Sequence, residues 1–244
     1  MRIESSFNNL SKLLQNAASS SRPASIPIAE KLTSQEQGLE QASNNGRDAV
    51  NLAQTAEGAL NSVSEDLGRI RELAVQAGNG ALSADDRGII QDEINELKSS
   101  IGDALTNTEF NSIKVFDGFD GNIQTGPNSG QGRQMVIENT SLDSLGISDF
   151  DVTSDFDIAD IDNAIDQVSE SRSNLGSQTN SIESNIRFNE VARENTLSSR
   201  SNAIGEDFEN AILELRQSQL QQSIQTQVQS LQQTEEEDKL NIFG

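Results

Sequence analysis

The chain has 244 residues and a formal net charge of -22, with no Cys, His, Trp or Tyr and only 33% hydrophobic residues. The missing residue types exclude zincin motifs, thiol nucleophiles, Ser-His-Asp triads, thiolate metal clusters and disulfide frameworks, and the acidity argues against binding nucleic-acid phosphates or anionic lipid. Apolar content far below the roughly 45–50% of an ordinary globular domain leaves disorder or a helical structure that buries a narrow seam, and no apolar run approaches the roughly 20 residues of a membrane span.

Residues 1–21 carry a short amphipathic stripe, Phe7, Leu10, Leu13 and Leu14, without the apolar h-region of a signal peptide. Ser19-Ser20-Ser21 and the stretch from Pro23 to Pro27 interrupt it. The clearest signal begins at Leu39. Leu39, Ala42, Gly46, Ala49, Ala53, Ala56, Leu60, Val63, Leu67, Ile70, Ala74 and Ala77 alternate steps of three and four, which is an a/d heptad seam. A straight helix over this stretch would be about 58 Å long at 1.5 Å per residue. Its small residues let a partner helix approach closely.

Gly78-Asn79-Gly80 breaks that helix, and Ser83 followed by Asp85 and Asp86 predicts the N-cap of the next. Ile90, Ile94, Leu97, Ile101 and Ala104 continue the pattern to an end near Thr106, which predicts an αα-hairpin. Residues 108–150 concentrate Gly, Asn and Asp between short apolar pieces. Ile113–Phe116 and Gln134–Ile137 read as strands, and Gly118, Gly121, Gly126, Gly130 and Gly132 as positive-φ turn positions. These glycines lack the Gly-Lys-Ser/Thr ending of a phosphate loop.

From about Asp155 the helical pattern returns. Ile161, Ile165, Val168, Leu175, Ile182 and Ile186 share a stripe with polar residues at some seam positions, and Leu197, Ile204, Phe208, Ile212, Leu215, Leu220, Ile224, Val228 and Leu231 extend it. A helix of this length cannot bury its stripe alone, and the 39–77 helix is its economical partner. Glu235-Glu236-Glu237-Asp238 reads as a solvated tail.

These elements predict a mainly α fold: a long antiparallel coiled-coil-like helical bundle of N- and C-terminal segments, with a small β-hairpin region in the middle. The expected organisation is an N-terminal segment (1–36), a helical hairpin (37–107), a β-hairpin and loop region (108–154), a long C-terminal helix (155–231) and an acidic tail (232–244). The seam candidates are Leu39, Leu60, Val63, Leu67, Ile70, Ile90, Ile94, Ile182, Ile186, Leu197, Ile204 and Phe208. Carboxylates such as Asp85/Asp86 and Asp117/Asp120 form no EF-hand loop and read as solvated surface. No catalytic, cofactor or metal site is expected.

The residues themselves resemble bacterial flagellin. QTAEGAL (54–60) and RIRELAVQA (69–77) look like its N-terminal helix, and IQDEINEL (90–97) and TEFNSIKVFDG (108–118) its next helix and turn. IQTGPNSGQ (123–131) resembles its Q-x-G-x-N-x-G turn, and residues 161–186 and 195–212 its C-terminal helix. The resemblance covers roughly 38–231. Residues 19–27 and the ending TEEEDKLNIFG depart from the family pattern.

The resemblance implies a structural, non-enzymatic subunit of the flagellar filament, exported unfolded through the type III apparatus and secreted into an extracellular helical tube. Its partners would be copies of itself, an export chaperone, the export apparatus, and hook-associated and cap proteins, with no nucleic acid and no membrane insertion. Alternatives of different kinds are a hook-filament junction protein and a secreted, non-assembling recognition protein. The resemblance also implies that Arg69, Leu73 and Glu93 form a surface recognised by an animal Toll-like receptor. Against it stands a plainer reading, in which Arg69 and Glu93 are ordinary exposed helix charges and Leu73 serves filament contacts.

Overall fold

The computed structural model describes the backbone of residues 25–242. Residues 1–24, which include the expected stripe Phe7, Leu10, Leu13 and Leu14, lie outside the described residues, as do the side chains of Phe208, Leu215, Val228 and Leu231. The elements in order are α1 (Ser25–Ala77), α2 (Ala84–Asn107), β1 (Glu109–Phe110), β2 (Ile113–Lys114), β3 (Phe119–Gln124), β4 (Gly132–Ile137) and α3 (Ile158–Ile242). The fold is the mainly α arrangement with two small antiparallel strand pairs.

Two elements run further than their sequence signals. α1 starts at Ser25 rather than near Leu39, because Pro27 falls in the first turn, where the helix needs no N–H from it. α3 runs on through Glu235–Asp238, expected as a tail, to Ile242. Its start is capped by Asp157, whose carboxylate accepts from the Ala159 N–H at 2.9 Å. α2 starts on a full capping box: the Ser83 hydroxyl accepts from the Asp86 N–H at 3.2 Å, and the Asp86 carboxylate accepts from the Ser83 N–H at 3.1 Å.

The chain forms two compact units, one spanning Gln37–Arg193 and one made of the chain on either side of it. Within Gln37–Arg193, α1 and α3 pack antiparallel. Arg47 pairs with Glu190 at 2.7 Å and Arg71 with Asp162 at 2.6 Å, so rising numbers on one helix meet falling numbers on the other. Leu39, Leu60, Val63, Leu67 and Ile70 of α1, Ile90 and Ile94 of α2, and Ile182 of α3 are buried, while Ile186 is partly so. At Gly46 the helices approach closely: a Cβ there would lie 2.9 Å from Ile186 Cγ1.

The middle of the chain differs in detail from its sequence signal. Only Ile113 and Lys114 of the expected Ile113–Phe116 strand pair, and their partner is β1. Asn111 and Ser112 between them have φ of 50° and 65°, the left-handed pair that a tight type I′ turn requires. Val115 and Phe116 leave the strand and turn into the core, fully buried. β4 pairs with β3, with Phe119 opposite Ile137 and Gln124 opposite Gly132. Of the five turn glycines, only Gly118 and Gly130 have positive φ; Gly146 is a further one. Gly121, Gly126 and Gly132 serve close approach instead, since a Cβ would strike Phe119, Gln131 or Asn122.

The stretch between β4 and α3 contributes core that its irregular sequence conceals. Leu145, Ile147, Phe150 and Val152 are buried, and Phe150 meets Phe156 edge-on with ring centres 5.9 Å apart. α2 anchors this stretch. Buried Gln91 accepts from the Val152 N–H at 2.8 Å, and the Lys98 ammonium donates to the Ser148 carbonyl at 2.6 Å.

In the other unit, Arg200 of α3 donates to Glu36 at 2.7 Å and to the Thr33 hydroxyl at 3.3 Å. Ile204, expected in the seam, is 52% exposed; Leu197 is half-buried. Beyond them Leu213, Leu220 and Ile224 are exposed as well. The apolar stripe of α3 thus continues in sequence past the point where the described residues bury it.

Candidate recognition and assembly surface

Arg69, Leu73 and Glu93 lie where α1 and α2 run side by side. The Arg69 guanidinium donates through Nε and Nη2 to one Glu93 oxygen, at 3.0 and 2.7 Å, and through Nη1 to Glu72 at 3.1 Å. These bonds, Glu93 foremost, hold the arginine pKa above its ordinary value. Both carboxylates are solvated and the arginine is half-exposed, so the pair is a surface clasp between the two helices. Leu73 does not join the charged pair on the surface. It is 2% exposed and packs in the hydrophobic core. The period of α1 carries it inward, four residues on from Arg69 but rotated toward the buried stripe. Exposed apolar groups do occur nearby: Ile89, one turn before Glu93, is 70% exposed.

A more elaborate polar construction holds the β3–β4 hairpin, and sequence reasoning missed it. Asn45 of α1 donates to the Gln124 carbonyl at 3.1 Å, and buried Asn189 of α3 donates to the next carbonyl, Thr125, at 2.8 Å. Pro127 of the turn rests on Gly38, where a Cβ would lie 2.9 Å from its own Cβ. On the outer edge of β4, the Gln178 side chain mimics a strand: its Oε1 accepts from the Val136 N–H at 2.8 Å and its Nε2 donates to the Val136 carbonyl at 3.1 Å. An edge that could pair with another chain is thereby occupied. Asn189 occupies a seam position, seven residues after Ile182. That polar break in the heptad was the available signal.

The turn motif IQTGPNSGQ closes on itself. Gln124 Nε2 donates to the Gly126 and Asn128 carbonyls at 2.7 and 2.6 Å, and the Asn128 N–H donates to Gln131 Oε1 at 3.0 Å. Gln124, Gly126, Asn128 and Gly130 thus act as one structural unit, with Gly130 at φ 80°. Between α1 and the strand turns lies a shallow groove of about 370 Å³ lined by Leu52, Phe110, Phe119 and Ile123. On α3, Phe188 and Val191 are 69% and 60% exposed.

Among the described residues no group of three or more acidic side chains is placed to hold a metal ion, and no helix is long and apolar enough to cross a membrane. The arrangement offers packing faces and polar clasps.

The model of the bacterial flagellin N-terminal helical region matches residues 3–120. The phase 1 flagellin of Salmonella naestved and the flagellin of Salmonella enteritidis are each 38% identical over 151 residues, 62% of this chain. The chain spans 30% of the length of these relatives. The crystal structure of Bacillus cereus flagellin superposes with a TM-score of 0.53 at 29% identity, covering 60% of this chain and 88% of that one. A flagellar hook-associated protein from Vibrio parahaemolyticus shares the fold, at TM-score 0.51 and 15% identity over 76% of this chain and 97% of that one. The chain thus carries a match to the flagellin N-terminal helical region over residues 3–120 and is similar to bacterial flagellins in sequence and in fold.

Proposed function

We propose that this chain is a structural subunit of the bacterial flagellar filament, exported and polymerised outside the cell into a helical tube for motility. The observation that carries the reading is the antiparallel packing of α1 against α3 with the hairpin clasped across both, in a chain that resembles bacterial flagellins. Exposed apolar residues support it. Phe188, Val191, Leu213, Leu220 and Ile224 gain most by burial against another copy, and a repeated heterologous contact between unlike faces builds an open helical assembly.

The partners that follow are copies of the chain, an export chaperone, the type III export apparatus, and hook-associated and cap proteins. The role is that of a building block rather than an enzyme. Receptor recognition at Arg69 and Glu93 remains a proposal with a narrower basis than the sequence suggests, because Leu73 is buried. Electron microscopy of the purified protein after seeding or salting-out tests the main reading. Filaments of flagellar width support it, and a chain that stays monomeric under every such condition overturns it in favour of a non-assembling secreted relative.

A further inference from the structure

The chain contains two Asn-Gly steps, Asn45-Gly46 and Asn79-Gly80, and the structure treats them in opposite ways. We propose that Asn79 is a site of spontaneous deamidation in the folded protein, and that Asn45 is protected from the same reaction.

The chemistry needs only water and a base. The Gly80 backbone nitrogen, on losing its proton to hydroxide, attacks the Asn79 side-chain carbonyl carbon. A C–N bond forms, the bond from that carbon to Nδ2 breaks, and ammonia leaves with a proton from solvent. Water then opens the resulting five-membered imide at either carbonyl, giving aspartate or isoaspartate. Glycine favours the attack because nothing on its α-carbon shields the nitrogen, and because its backbone reaches conformations that other residues resist.

Four features place Asn79 for this reaction. Asn79 and Gly80 are both exposed in the turn that joins α1 to α2. The Gly80 N–H makes no hydrogen bond among the described residues, so its proton is free to leave. The Ala81 N–H donates to Asn79 Oδ1 at 3.1 Å, which folds the side chain back over the Gly80 peptide and polarises the carbonyl that is attacked. A Cβ built on Gly80 would meet nothing within 4 Å, so water has open access.

Asn45 lacks the exposed turn, the free glycine N–H and the open space around the glycine. It lies inside α1, where the Gly46 N–H belongs to the helical ladder. Its carboxamide is held at both ends: Nδ2 donates to the Gln124 carbonyl at 3.1 Å, and Oδ1 accepts from Gln41 at 2.9 Å. Gly46 is packed against Ile186. Reaction at Asn45 therefore requires local opening of the helix, whereas reaction at Asn79 does not. The product at Asn79 adds a negative charge at the C-terminal end of α1, the end where the helix dipole disfavours it, and isoaspartate also lengthens the turn.

Trypsin separates the two sites, since Arg71 and Arg87 bound the peptide 72–87, and Lys31 and Arg47 bound the peptide 32–47. The intact chain is incubated at mildly alkaline pH in native buffer and in concentrated urea, digested, and read by mass spectrometry with chromatographic separation of the aspartate and isoaspartate forms. In native buffer the 72–87 peptide converts at least about tenfold faster than the 32–47 peptide, while in urea the two rates converge. A Gly80→Ala variant, which has room for its methyl group, stops conversion at residue 79. Equal rates in native buffer, an Asn79 that converts only in urea, or unchanged conversion in Gly80→Ala would each overturn the proposal.

Discussion

Gly46 gives the sharpest test of how α1 and α3 are packed. Replacing it with Ala removes the helix-interior penalty of glycine, worth about 0.8–1.0 kcal/mol. The added Cβ would sit 2.9 Å from Ile186 Cγ1, 3.2 Å from its Cδ1 and 3.4 Å from Ile182 Cγ2. Carbon atoms pack best at about 3.5–4.0 Å, so the helices must separate or Ile186 must leave its rotamer. Overpacking of this kind costs about 1–3 kcal/mol. Gly68 is the internal control, because it lies on the same helix and a Cβ there meets nothing within 4 Å. The propensity gain cancels between the two variants, so Gly46→Ala falls below Gly68→Ala by about 1–3 kcal/mol. In a unit of this size that separates the melting temperatures by about 2–12 °C. Thermal and urea unfolding followed by circular dichroism measure the gap, and Gly46→Val widens it. A Gly46→Ala variant as stabilised as Gly68→Ala would refute the close approach of the helices at this point.

Four further outcomes follow from single contacts. Ile94→Ala empties a fully buried site and lowers the unfolding free energy by about 2–5 kcal/mol in urea titration. Gln91→Met leaves the buried Val152 N–H unpaired and costs about 1–3 kcal/mol, with faster hydrogen exchange across residues 148–152. Ser83→Ala removes the α2 cap and costs about 0.5–2 kcal/mol. The Ser83 hydroxyl and N–H also hold the Asp86 pKa below its ordinary value. The folded state therefore binds this proton less readily than the unfolded state. The contribution is complete above the unfolded-state value near about 4 and is lost as pH falls through the folded-state value. Asp86→Asn flattens that part of the stability-against-pH profile, and an unchanged profile would count against the capping box.

The legible parts of the fold were those set by short-range rules. The step of three and four from Leu39 to Ala77 placed the α1 seam, because burial on one face of a helix repeats with the helix turn. Ser83 was readable as a cap because its function depends on residues within one turn of it. The hairpin was harder. Nothing local tells Ile113–Phe116 that its second half is wanted in the core, where Val115 and Phe116 are fully buried. The clasp is less legible still: Asn45 lies 79 residues from Gln124, and Asn189 lies 64 from Thr125. The stretch 141–152 supplies core from a sequence full of Ser and Asp, since its apolar residues follow no helical or strand period. The candidate recognition surface was half legible. Arg69 and Glu93 do come together, whereas motif matching carried Leu73 along with them and only the helix phase shows that it points inward.

The charge takes on a structural meaning once its location is known. Residues 37–193 hold 27 acidic and 10 basic residues, a net charge of -17. Arg47, Arg69 and Arg71 are committed to pairs that link one helix to another, so a share of the scarce cations secures the fold rather than neutralising the outside. From Asp143 to Glu170 there are nine acidic residues and no basic one. Part of that run is locally useful: Asp157 caps α3, Asp160 lies in its first turn, and negative charge is favourable at a helix N-terminus. Of the remainder, Asp162 is paired with Arg71 and Asp151 accepts from Thr153, while Asp143, Asp149, Asp155, Asp166 and Glu170 are exposed with no cation in the run itself to offset them. Copies brought side by side would repel over about 10 Å at 0.1 M salt and about 3 Å at 1 M. The apolar groups that would drive assembly, Phe188, Val191, Leu213, Leu220 and Ile224, all lie on α3 beyond this run. Separating an acidic stretch from an apolar one along the chain lets salt switch off the repulsion while leaving the hydrophobic attraction in place.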